Sequence, residues 1–289
     1  MSLSFDVDFQ NLSANQNTNT IDKENIIKLR ETLENWERRN IAYHGYRLDL
    51  RGANLQGFDM SAKKPDGSDA VFSGVLIDGA RLDGADISGA QLTGARFNLN
   101  TLIAANLSDA KITGAFFENS CLLEGARFLR SDLTFALFSG AHLDGAVFTG
   151  ATIDFATIND SSFEFATMIK VKARSTTFGD TKCFGSRFKN VDFRFSFFDN
   201  TQYIFNQKKQ KLRAEQSAFC GLDFSFPISA GIDQKDVFGD DSVILSEKNQ
   251  RPAHWPDWEL PLIGNHAFET EWRKWQANPD TYIPPPKPE

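Results

Sequence analysis

Between residues 79 and 97 the chain reads GARLDGADISGAQLTGARF. A small apolar residue recurs every fifth place (Ala80, Ala85, Ala90, Ala95), and two places after each stands a large one: Leu82, Ile87, Leu92, Phe97. Neither the 3.6 period of a helix nor the alternation of a flat strand gives that spacing. Taking the large residue as the centre of each five, centres run from Phe72 to Phe117 without a slip. One extra residue enters near Ser120, and the series resumes at Leu123 and holds to Tyr203. Earlier centres stand at Leu50, Leu55 and Met60, later ones at Phe219 and Phe224.

Residues two apart in extended chain point to one side, so each unit buries one small and one large side chain. The other three positions are mostly polar, and the last is often Gly (Gly84, Gly89, Gly94, Gly125, Gly145), as a corner needs. A short straight piece and a corner, repeated, wind into a coil whose stacked turns share one core. The pattern therefore predicts an all-β solenoid over residues 48–226.

These residues resemble the pentapeptide-repeat family, whose unit is A-(D/N)-L-x-x. The resemblance implies a right-handed quadrilateral β-helix with four units per turn. The sequence carries a check on that number. Every fourth centre from Ile77 gives Ile77, Phe97, Phe117, Phe138, Ile158, Phe178 and Phe198, a column of five phenylalanines. Four units per turn stack these rings, and the extra residue near Ser120 becomes a bulge that keeps the phase.

The ends need covers, because an open solenoid exposes its core and unpaired strand edges. Residues 21–47 hold Ile26, Leu29, Leu33 and Trp36 on one helical stripe, read as an N-terminal capping helix or a partner-binding one. Residues 1–20, rich in Asn, Gln, Ser and Thr, read as a disordered tail. Residues 227–289 leave the period of five and form a C-terminal extension with short helices and a Pro-rich tail. There Phe268, Trp272 and Trp275 share a helical face that Pro279 ends, a candidate cap or dimer interface. Two excursions, 61–69 and 206–216, interrupt the wall.

Composition and charge narrow the function. Net charge is −7, against a general nucleic-acid binder. The start MSLSFDVDFQ has no apolar run resembling a secretory leader, and no stretch of about 18 apolar residues follows. Three separated cysteines fit reduced thiols in a cytoplasmic protein, and the family resemblance implies a bacterial one. No P-loop, GxGxxG, GxSxG or metal-ligand spacing is present, so neither an enzyme nor a cofactor is expected.

Charge is unevenly spread. Residues 70–164 hold eleven acidic and five basic residues, whereas 165–213 hold eleven basic and three acidic. Lys170, Arg174, Arg187, Lys189 and Arg194, with the loop residues Lys208 and Lys209, form a candidate partner-binding patch. On four-unit turns Arg174 and Arg194 stack as like charges, open to an acidic partner or to the chain's own acidic C-terminal segment. The leading expectation is a non-catalytic scaffold for a protein partner, with a homodimer through the C-terminal region as one form. The resemblance also implies an alternative, modulation of DNA gyrase by partial DNA mimicry, from which the basic second half departs.

Overall fold

The computed structural model describes residues 79–199, 204–205, 210–211, 213–221, 223–224, 236–245, 250–264 and 266–288. The tail, the helix expected around Trp36, the first units and Lys208 and Lys209 lie outside them.

From Arg81 onward the backbone pairs in parallel with itself one turn later. The bridges Arg81↔Thr101, Asp86↔Asn106, Gln91↔Lys111 and Arg96↔Phe116 set a turn of twenty residues, four pentapeptides. Across the inserted residue the bridges become Thr101↔Leu122 and Asn106↔Arg127, one longer, and His142↔Ser162 restores twenty. The insertion is thus absorbed at one corner, where Asn119 and Ser120 both take positive φ (55° and 64°). Parallel strands connected in this way wind right-handed. The coil is a right-handed quadrilateral β-helix.

Each side contributes one straight piece per turn, long enough in places to count as strands. The first side stacks β1 (Phe116–Glu118), β2 (Leu137–Ser139), β3 (Thr157–Asn159), β5 (Thr177–Gly179) and β7 (Phe197–Asp199). The third side stacks β4 (Thr167–Ile169), β6 (Arg187–Lys189) and β10 (Arg213–Glu215). Every unit then turns a corner through a residue of positive φ, whether Gly84 (66°) or Asp109 (59°). The small and large positions are fully buried, as Ala85, Ile87, Ala146 and Phe148 illustrate. On the first side Phe97, Phe117 and Phe138 stack at 4.7 and 4.8 Å, and Phe178 stacks on Phe198 at 4.8 Å. Where Ser or Thr takes the small slot, its hydroxyl donates inward to a carbonyl. Ser131 Oγ reaches Leu107 O at 2.6 Å and Thr176 Oγ1 reaches Ile153 O at 2.7 Å, so the buried oxygen is satisfied.

After β7 the short antiparallel pair β8 (Ile204–Phe205) and β9 (Gln210–Lys211) makes an excursion. The coil then returns in register, with Arg213 opposite Arg187 and Ala214 opposite Phe188. It also runs past residue 226. β11 (Ser217–Ala218) pairs with β13 (Val237–Phe238), and β12 (Asp223–Phe224) with β14 (Ile244–Leu245), all parallel. Stretch 235–245 hid this from the pentad pattern because its centre position is Gly239, one turn after Phe219.

That glycine marks the C-terminal end of the core. A Cβ on Gly239 would lie 2.8 Å from the Trp255 ring. Trp255 is buried in the main core and donates Nε1–H to Val237 O at 2.9 Å. The last core slot is therefore filled from outside by a tryptophan. The single described helix, α1 (Phe268–Ala277), lies instead along the outer wall. Phe268, Trp272 and Trp275 are buried there against Ala218, Phe238, Trp258 and Leu260. Trp272 Nε1 donates to Gln216 O at 3.0 Å, which fixes the helix to a corner of the coil.

Candidate functional site

The coil turns regular spacing into rows. Residues twenty apart stand on one another about 4.8 Å apart, so each outward position of the pentad becomes a line down the rod. Two of these lines carry unusual chemistry.

The first runs down the corner between the fourth and first sides. Gly94 and Gly114 hold this corner early on, but Phe135 (φ 60°), Phe155 (59°) and Phe195 (60°) hold it later, with Ser175 between. Left-handed backbone crowds the Cβ of any residue but Gly, at a cost of roughly 1–2 kcal/mol. Their rings lie outside the core, with Phe135 60%, Phe155 51% and Phe195 46% exposed. Phe135 and Phe155 stack at 5.2 Å and 18°, and the Phe195 ring covers Gly221, where a Cβ would meet it at 2.8 Å. Phe116 and Phe197, also exposed, continue the apolar strip onto the first side. Sequence reasoning passed over this ridge. Its signal was present: a large aromatic in the fifth place of a unit where Gly is the commonest occupant.

The second feature is a groove of about 370 Å³ between the fourth side and α1. Lys170 stands at the corner, Lys172 and Arg174 follow on the wall, and Asn190, Asp192 and Arg194 repeat those positions one turn on. Glu269, Trp272 and Arg273 of α1 close the far edge.

The structure separates the sequence-predicted cations by what they face. Arg194 is an internal clamp, its side chain only 8% exposed. Its Nε and Nη2 bind Asp192 at 2.8 and 2.6 Å, and Nη2 reaches Glu269 on α1 at 3.1 Å. Burial by itself would lower the Arg194 pKa; the bonds to Asp192 and Glu269 outweigh it and raise the pKa. Arg174 grips Asp154, with its amide on Oδ1 at 2.9 Å and Nε on Oδ2 at 3.0 Å. The stacked like charges expected at 174 and 194 are thus interleaved with carboxylates, and Arg194 is closed to a partner. Arg187 and Lys189 each stand 3.6 Å from Glu215 on the next turn. Lys170 and Lys172 differ: among the described residues neither has a carboxylate partner.

Carboxylates of the first half are tied to the coil. Asp83 accepts from the Thr101 hydroxyl and the Ile103 amide, both at 3.0 Å, and Asp144 accepts from the Glu164 amide at 2.9 Å. All three cysteines are free thiols, and burial pushes Cys220 up to about 11. None of the described helices is long and apolar enough to cross a membrane.

Residues 68–99 and 126–164 match the family model for pentapeptide repeats, in eight copies. The coil is a pentapeptide-repeat β-helix. The chain is similar in structure to other pentapeptide-repeat proteins. A trypsin-treated variant of QnrB1, a plasmid-mediated fluoroquinolone resistance protein, shares 20% identity over 70% of this chain and 91% of its own, with a TM-score of 0.46. HetL, involved in heterocyst differentiation regulation in the cyanobacterium Nostoc sp., shares 13% over 80% and 97%, with a TM-score of 0.39. No curated protein sequence matches the chain.

Proposed function

We propose that this pentapeptide-repeat protein is a non-catalytic scaffold that holds a protein partner against its phenylalanine corner. The carrying observation is the exposed row Phe135, Phe155 and Phe195, built on left-handed backbone. Gly or Asn at those corners would relieve strain and expose less apolar surface, so stability does not account for three phenylalanines. The stacked Phe135 and Phe155, with Phe195 two turns on beyond Ser175, leave large apolar rings in water, and exposed apolar surface among polar residues is the usual mark of a protein contact.

The test uses Phe135→Asn with Phe155→Asn, since Asn tolerates the same corner. The double variant should be at least as stable as wild type to within about 0.5 kcal/mol, since Asn eases the corner, and lose the partners that crosslink to wild type in its own cells. An unchanged set of crosslinks with an unchanged melt would remove the reading. The same pair tests a homodimer, by light scattering of variant against wild type. The buried Trp272 and Trp275 are occupied within the chain, so the ridge is the better surface for a second copy.

DNA gyrase is the alternative partner, and one row favours it. On the second side Asp83, Glu124, Asp144 and Glu164 occupy one outward line, broken at Ile103 between the first two, and give that side a run of negative charge. Supercoiling by gyrase that is indifferent to micromolar protein would remove that alternative.

A further inference from the structure

The groove beside α1 holds more positive charge than its own carboxylates balance. Its carboxylates are engaged: Asp192 and Glu269 by the buried Arg194, and Asp154, just outside, by Arg174. Asn190 Oδ1 accepts from Arg273 Nη1 at 3.1 Å and Gln276 Nε2 at 2.8 Å, which turns the amide so that its Nδ2 faces away from those donors. Among the described residues that Nδ2 has no acceptor, and neither do the ammonium groups of Lys170 and Lys172. Both lysines are solvent-exposed, and with Arg174, Arg194 and Arg273 they set five cations against two carboxylates along one cleft of about 370 Å³.

We infer that this groove binds a phosphate-bearing small molecule. A phosphate group carries several acceptor oxygens on one centre, and its double negative charge suits a groove whose cations outnumber its carboxylates. The volume falls within the range of small-ligand pockets and leaves room for a body behind the phosphate. α1 walls off one side through Glu269, Trp272 and Arg273, which suits a compact ligand over a continuous strand. The site is distinct from the phenylalanine corner and stands without it.

Calorimetric titration of the full chain with inorganic phosphate, with metal-free ATP and with succinate, at constant ionic strength, tests the assignment. Saturable binding of phosphate or ATP and none of succinate is the expected result. ATP tighter than phosphate assigns a phosphorylated metabolite; equal affinity assigns free phosphate. Lys170→Gln and Lys172→Gln should each weaken Kd roughly tenfold, the worth of one charge-assisted bond. Lys172→Arg should keep binding, and Lys182→Gln, on the second side, should leave it unchanged. Succinate binding as tightly as phosphate, or equal loss in the Lys182→Gln control, would overturn the proposal.

Discussion

At the scale of the residue, what matters in this protein is position within a unit of five. Ala146 is sealed inside the coil while Thr149, three places on, faces outward. Ala146→Leu forces three methylenes' worth of volume into a filled core and should destabilise by roughly 1–3 kcal/mol. Thr149→Leu should stay within about 0.5 kcal/mol. Thermal melts of the two variants separate them, and equal behaviour would mean the inward register is misplaced. That register was legible in the sequence because alternation within the unit dictates it directly. Which corner residues do more than turn the chain was not. Phe135 and Arg194 are both outward by pattern, yet one is exposed and the other is enclosed by Asp192 and a helix 75 residues away. No local spacing encodes that second partner.

At the scale of the element, the C-terminal segment does two separable things. Trp255 fills the slot left by Gly239, and α1 lies on the flank. Trp255→Ala opens the end of the core and should cost about 3–5 kcal/mol, the usual range for a buried large aromatic; chemical denaturation would measure it. The sequence marked tryptophans as the covering residues but pointed to Trp272 and Trp275, because a helical face is visible in a pattern. A glycine standing at a core position, completed by a ring sixteen residues later, is not. The same segment carries a pH response. His254 stacks on Trp275 at 5.1 Å and lies beside Trp255 and Val237 O. Burial holds its pKa below the ordinary 6.5, against a smaller opposing effect of the Val237 carbonyl. The unfolded chain therefore takes up the proton first. Stability from this group is complete above about pH 6.5 and falls as pH drops through the lower folded value. Melting temperatures between pH 7.5 and 5.5 should decline in wild type and decline less in His254→Gln.

At the scale of the whole molecule, the count of four units per turn turns a linear sequence into an address system. Up to β7, a residue's remainder on division by twenty, corrected for the insertion at Ser120, states which side it occupies; the quotient states its height, and the excursion before β10 adds a second correction. Length can then be edited without rewriting the map. Deleting residues 141–160 joins Gly140 to Ser161, which already occupies, one turn on, the place of Ala141, the residue Gly140 now precedes. The shortened chain should keep a single cooperative melt, and solution scattering should find it shorter by about 5 Å. Removing fifteen residues, 141–155, also leaves whole pentads, so the core still fills. It would rotate everything after the cut by a quarter turn, carrying Phe195 off the side where Phe135 stands. A protein of this kind can therefore lose or gain a storey cheaply, but only in whole storeys if what is displayed on its walls is to stay in line.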